Sequence, residues 1–170
     1  MSDIFVSYAS EDRERIMPLV RALEKTGWSV FWDRTIPIGR TWQEVLRVEI
    51  ETCRSMIVVW SKASTMSEWV LEEAEEGRIR RVLFPVLIDD VEQPFGFRRI
   101  QAANLVNWRG EPELPEFRRL FSDLTLHLSE PPAASEEEER RRAEELKRKA
   151  EEEQKRAEEK RRRAVFVVLQ

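Results

Sequence analysis

The sequence predicts an α/β domain, a five-stranded parallel sheet with helices on both faces, followed by one long charged helix. Three observations carry this. Short β-rich runs are apolar on both faces, as strands buried between two helix layers must be. Most of them are followed by apolar residues at helical spacing. Glycines, prolines and capping residues punctuate the two. Strands that alternate with helices in this way build parallel sheets.

The first strand is Ile4-Phe5-Val6-Ser7-Tyr8, and Ala9-Ser10-Glu11-Asp12 follows as a loop with helix-capping residues. Ile16, Leu19, Val20 and Leu23 mark a helix that runs to Lys25 and stops at Thr26-Gly27. Trp28 to Trp32 is the second strand, ending at Asp33. Pro37 and Gly39 make the segment from Arg34 to Arg40 an irregular loop. Trp42, Val45, Leu46, Ile50 and Cys53 form the stripe of the second helix. Ser55 to Trp60 is a buried third strand, and after the loop Ser61–Met66 a helix covers Ser67–Gly77. Val82 to Ile88 is the fourth strand, with Pro85 expected at an edge-facing or bulged position. Val91 to Gln101 reads as loop with a short helix, and Ala103 to Trp108 as a weak fifth strand. From Glu113, the stripe Leu114, Phe117, Leu120, Phe121, Leu124 and Leu128 makes an amphipathic last helix.

Residues 1–130 thus form the globular domain and 131–135, Pro-Pro-Ala-Ala-Ser, a linker. Residues 136–163 are almost all Glu, Arg, Lys and Ala, with acid-to-base pairs four apart such as Glu144→Arg148 and Glu151→Lys155. That pattern predicts a single exposed helix, about 40 Å long, used as a spacer. Glu153 and Lys160 interrupt its heptad seam and argue against a coiled coil. Residues 164–170 turn apolar directly after Arg161-Arg162-Arg163. The expectation is a membrane anchor beyond residue 170 with the arginines on the inner side, local packing of the short run being the alternative.

Composition sets bounds. The chain has 170 residues, 41% hydrophobic and 36% charged, with a formal charge of −4. Mild acidity argues against a nucleic-acid binder that relies on net positive charge. One cysteine, Cys53, excludes an internal disulfide and fits a reducing, cytoplasmic location. One histidine, His127, leaves no triad or zinc set to assemble, so no metal is expected.

Trp69 and Glu73 are four apart and share one helical face. An aromatic plane beside a carboxylate suits a nucleotide or sugar. The run Glu72, Glu73, Glu75, Glu76 equally fits a solvated face. Topology adds weight, because parallel sheets bind ligands at the carboxyl ends of their strands. The loops Tyr8–Asp12, Asp33–Trp42 and Ser61–Trp69 would gather there.

Several blocks in order resemble the Toll/interleukin-1 receptor (TIR) domain family, in its bacterial form. They are D-I-F-V-S-Y-A-S-E-D at Asp3–Asp12, V-F-W-D at Val30–Asp33, I-P-I-G-R-T-W at Ile36–Trp42, M-I-V-V-W-S at Met56–Ser61, S-E-W-V-L-E-E-A at Ser67–Ala74 and F-P-V-L-I-D at Phe84–Asp89. The resemblance implies a flavodoxin-like fold and, in enzymatic members, cleavage of NAD between nicotinamide and ribose. NAD is then substrate, with no further cofactor, and self-association is the expected trigger. The family's catalytic glutamate falls on Glu73, not Glu72. Trp69 would wall the ribose, Tyr8, Ala9 and Ser10 line the first loop, and Asp33, Gly39 and Trp42 belong to the covering loop. Some members carry basic residues where this chain has Ala9 and Ser10, so phosphate contacts are expected from Arg34 or Arg40. Read as part of an exposed helix, Glu73 is expected to tolerate alanine without loss of fold. A non-enzymatic TIR adaptor that works through TIR–TIR contacts remains the alternative.

Overall fold

A computed structural model describes residues 1–34, 38–39, 41–129, 144 and 147–148. Residues 1–131 form one compact unit. Of the unit 132–170, the described Glu144, Lys147 and Arg148 are helical and exposed. Arg40, the linker 131–135, most of the charged helix and the apolar end 164–170 lie outside the described residues.

Five parallel strands, β1 (Ile4–Ser7), β2 (Val30–Phe31), β3 (Ser55–Trp60), β4 (Leu83–Leu87) and β5 (Ala103–Asn104), lie in the order β2-β1-β3-β4-β5. Among the described residues of this unit, the helices α1 (Arg13–Glu24), α2 (Trp42–Thr52), α3 (Glu68–Ile79) and α4 (Pro115–Ser129) connect or follow them. This is the flavodoxin-like arrangement expected from the sequence. The alternation of side chains along the strands sorts the core into two layers. Ile4, Val6, Ile57 and Val59 face α1 and α4, where Ile16, Val20, Leu23, Leu120 and Leu124 meet them. Phe5, Met56, Val58 and Trp60 face the other way, against Leu46 of α2 and Val70 and Ala74 of α3. β1 and β3 are buried on both sides, which is why they read as unbroken apolar runs.

The edge elements are shorter than the sequence predicts. β2 pairs only at Val30 and Phe31 because Trp28 turns out of the ladder to pack on Phe121, with ring centroids 5.2 Å apart. β5 stops at Asn104, since the chain turns at Asn107, whose φ is 63°, and Trp108 N–H closes onto Leu105 O. The short helix expected between Val91 and Gln101 does not form; Pro94 and Phe97 accept successive turn hydrogen bonds instead. Ser10–Asp12 is a 3-10 turn, not an open loop, and Asp12 does not cap α1. Its carboxylate is buried and takes Ser61 Oγ–H and Arg15. Arg15 continues to Asp89 at 2.7 Å and so ties the start of α1 to the end of β4.

Pro85 sits in the ladder opposite Val58, without a bulge. Ile88 N–H bonds Trp60 O, so the even-numbered residues of β4 donate toward β3. The missing N–H of Pro85 therefore faces β5, where pairing begins only at Val86. Cys53 caps the end of α2, one residue past the helix, and packs fully buried with Leu46, Ile50 and Trp42 of its stripe. Arg80 bonds its carbonyl at 2.6 Å and that of Ile50, filling the orphan acceptors at the end of α2. Burial pushes the Cys53 thiol pKa up, so the thiol stays protonated. His127 Nε2 lies 2.9 Å from Arg54 O, and its ring meets Phe84 edge-on, which is a packing role. Among the described residues no helix is long and apolar enough to cross a membrane.

Candidate active site

The direction of the strand order reverses between β1 and β3, and this is where the candidate residues meet. α3 starts cleanly because the Ser67 side chain accepts Val70 N–H at 3.4 Å. Before it, Ser61 and Ser64 bond each other and Ser64 Oγ–H donates to Val59 O at 2.7 Å, fixing the loop that leads in. α3 therefore delivers Trp69 and Glu73 to the carboxyl end of β1.

Glu73 does not lie on an exposed face. It is 3% exposed, against the expectation drawn from the acidic run around it. The run misleads because only position 73 of the four points at the sheet, while Glu72 is exposed and Glu75 pairs with Arg78 at 2.6 Å. Ser7, the last residue of β1, donates its hydroxyl to Glu73 Oε2 at 2.5 Å. Oε1 is buried and has no hydrogen-bond partner of ordinary geometry. Burial raises the Glu73 pKa above the usual carboxylate range; the Ser7 bond, the Arg34 charge and, more weakly, the Trp69 indole work against that rise.

Arg34 is the second unanticipated neighbour. Its guanidinium is 3.8 Å from Glu73 Oε2 and donates to Tyr8 O at 2.9 Å. It lies over the rings of Tyr8, at 4.9 Å, and Trp42, at 5.6 Å. Arg34 therefore faces inward, toward Glu73 and the backbone of Tyr8. Two aromatic faces and a buried carboxylate make a cage for a flat, delocalised cation, and Arg34 fills it.

The other predicted residues divide. Trp42 opens α2 behind a reciprocal Thr41–Glu44 cap and packs partly buried beside Leu46 and Ile50. Trp69 is 38% exposed and, with Glu72, Glu73, Glu76, Leu46 and Ile50, lines a groove of ≈ 400 Å³ between α2 and α3. Tyr8 is buried and donates to Trp32 O at 2.8 Å, so it shapes the cage through its ring. Ala9 is buried beside it, and Ser10 is exposed at the turn. Asp33 is held by Arg13 at 3.3 Å at the foot of the covering loop. Gly39, with φ 88°, is exposed. Sequence reasoning missed Ser7 because a serine ending a buried strand carries no signal of its own. Among the described residues, no three His, Cys, Asp or Glu side chains come together as a metal site would need.

A family model described as the TIR domain matches residues 4–121. A probable 2′ cyclic ADP-D-ribose synthase, TcpO, from Methanobrevibacter olleyae is 29% identical over 101 residues. That match covers 54% of this chain and 30% of the relative's length. The TIR domain of the Toll-related receptor TRR-2 from Hydra magnipapillata superposes with a TM-score of 0.62 at 25% identity, over 74% of this chain and 99% of that one. A TIR-STING receptor from C. gigas, solved with 2′,3′-cGAMP, shares the fold at 23% identity and TM-score 0.58, over 77% and 40%.

Proposed function

From the premise that this chain belongs to the TIR domain family, we propose that it is an NAD-cleaving effector switched on by self-association. The observation that carries this reading is the Glu73 carboxylate: buried, held by Ser7 through one oxygen, and without a hydrogen-bond partner of ordinary geometry at the other. An unsatisfied buried carboxylate costs stability and has no use in a module that only docks. The family membership and a relative named for making a cyclic ADP-ribose support the same chemistry.

The nicotinamide ring of NAD is a flat pyridinium, the kind of cation the Tyr8–Trp42–Glu73 cage accommodates. With Arg34 displaced, that ring enters and the ribose lies against Trp69. The bond from ribose C1′ to the ring nitrogen breaks, and its electron pair leaves with nicotinamide as a neutral molecule that needs no proton. Positive charge grows on the ribose, and the Glu73 carboxylate stabilises it. Water attacking C1′ gives ADP-ribose and a proton; attack by a ribose hydroxyl of the same molecule gives a cyclic product. In this reading residues 136–163 serve as a spacer and the protein works in the reducing cytoplasm.

The direct test is nicotinamide release from NAD across a range of protein concentrations, with and without a crowding agent. Release per molecule is expected to rise with concentration, as assembly requires. No release at any concentration, crowded or dilute, would sink the proposal.

The pH dependence follows from the same atoms. The ionised carboxylate is the active form, so kcat/KM falls as pH drops through the raised Glu73 pKa. Ser7→Ala removes a contact that lowers that pKa. The acid limb of the profile is expected to move to higher pH, and Arg34→Gln to move it the same way. An unshifted limb in Ser7→Ala would show that the titrating group is not Glu73.

A further inference from the structure

On the sheet face opposite Glu73, α1, α4 and the loop 109–112 enclose a groove of ≈ 620 Å³, within the size range of small-molecule sites. Its floor is apolar: Pro18 and Ala22 of α1, Phe117 and Phe121 of α4. The floor is braced from behind. Phe117 stacks on Trp108 with centroids 4.7 Å apart and planes at 15°, and Phe121 packs on Trp28. Its charged lining is all of one sign: Arg21, Lys25, Arg109 and Arg118. No carboxylate lines it, in a chain with 33 acidic and 29 basic residues. Among the described residues Arg21, Lys25 and Arg109 form no ion pair. Arg118 reaches Glu113 at 4.0 Å in an exposed contact, and Glu111 takes the backbone N–H of Arg109 just outside the groove.

Four cations around an apolar cleft that no carboxylate lines, three of them outside any ion pair, repel one another and favour an anionic occupant. The aromatic and proline floor favours a flat apolar body over a bare ion. We propose that this groove binds a soluble small molecule made of a flat apolar ring system bearing a phosphate or carboxylate. The anionic group meets Arg21 and Arg118 from the two helices, and the rings lie on Phe121 and Pro18. The site is separate from Glu73 and does not depend on the chemistry proposed there.

The test uses 2-naphthyl phosphate as probe, titrated into the full chain by fluorescence and calorimetry. One probe is expected to bind per chain, more weakly as salt rises. 2-Naphthol and inorganic phosphate, each holding half of the chemistry, are expected to bind at least about tenfold more weakly. Arg21→Glu with Arg118→Glu, two changes at exposed positions, is expected to cost at least about tenfold in probe affinity. Its thermal midpoint and NAD turnover should stay at wild-type values. Absence of saturable binding, equal binding by the double variant, or inorganic phosphate matching the probe would overturn the proposal. So would displacement of the probe by vesicles of phosphatidylserine but not by a second soluble aryl phosphate, since that outcome assigns the groove to a membrane headgroup.

Discussion

Glu73→Gln is expected to lower NAD consumption by about 10³-fold or more while raising the thermal midpoint of the domain. The two effects have one cause. The amide oxygen of glutamine still accepts the Ser7 hydroxyl, so the contact at 2.5 Å survives. What disappears is the charge. Burial holds the Glu73 pKa above its ordinary value, so the folded chain binds that proton more tightly than the unfolded chain does. Stability from this group is fully present below the ordinary carboxylate pKa and is lost as pH rises through the raised one. At neutral pH the ionised side chain is therefore a cost that glutamine removes. A gain of about 1 kcal/mol, roughly 3 °C for a domain of this size, is the expected scale. The gain should vanish near pH 4, where both side chains are neutral. Glu72→Gln, on the exposed neighbour, should alter the midpoint by less than about 0.5 kcal/mol and the rate by less than about twofold. Full activity in Glu73→Gln would refute the catalytic assignment. Lost activity with a lowered midpoint would show that the carboxylate is a structural anchor.

The element order was legible because burial writes itself into composition. β1 and β3 sit under helices on both faces, and Ile4–Ser7 and Ser55–Trp60 read as strands without ambiguity. Edge elements were less legible, since a run such as Trp28–Trp32 stays apolar for packing after its ladder has ended. The region around Pro94 shows the converse: a turn was visible, but the contacts that keep it from becoming helix come from residues far along the chain, such as Trp60 Nε1–H on Gln93.

At the site, the pairing of Trp69 with Glu73 follows from helical spacing, and both do share a groove. The depth of Glu73 does not follow from spacing. Four glutamates in five residues look alike until the sheet is present to bury one of them. Ser7 and Arg34 lie 66 and 39 positions before Glu73, and only parallel pairing of β1 with β3 and the return of the covering loop bring them to it.

Gly77→Val is expected to cost about 3 kcal/mol or more of stability and, where the variant is still folded, about 10²-fold in NAD turnover. Gly77 follows Glu73 by four residues and faces the sheet from the same side of α3. A Cβ there would stand 2.7 Å from Met56 Sδ and 3.1 Å from Leu83 Cδ1. Met56 is fully buried, so its side chain has nowhere to withdraw. Helix propensity alone favours alanine over glycine by about 1 kcal/mol. Overpacking costs about 1–3 kcal/mol, so Gly77→Ala should come out near neutral or mildly destabilised. Valine gains little helix propensity and adds two methyls to the clash, and α3 must lift from the sheet to fit them. Lifting α3 withdraws Glu73 from Ser7 and widens a contact that the chemistry needs to a fraction of an ångström. Denaturant unfolding gives the first number, and turnover at a temperature where the variant is fully folded gives the second. Met56→Ala in the Gly77→Val background removes the Sδ clash and should return part of both losses. A Gly77→Val chain of wild-type stability and rate would mean that the seat of α3 does not set the position of the carboxylate.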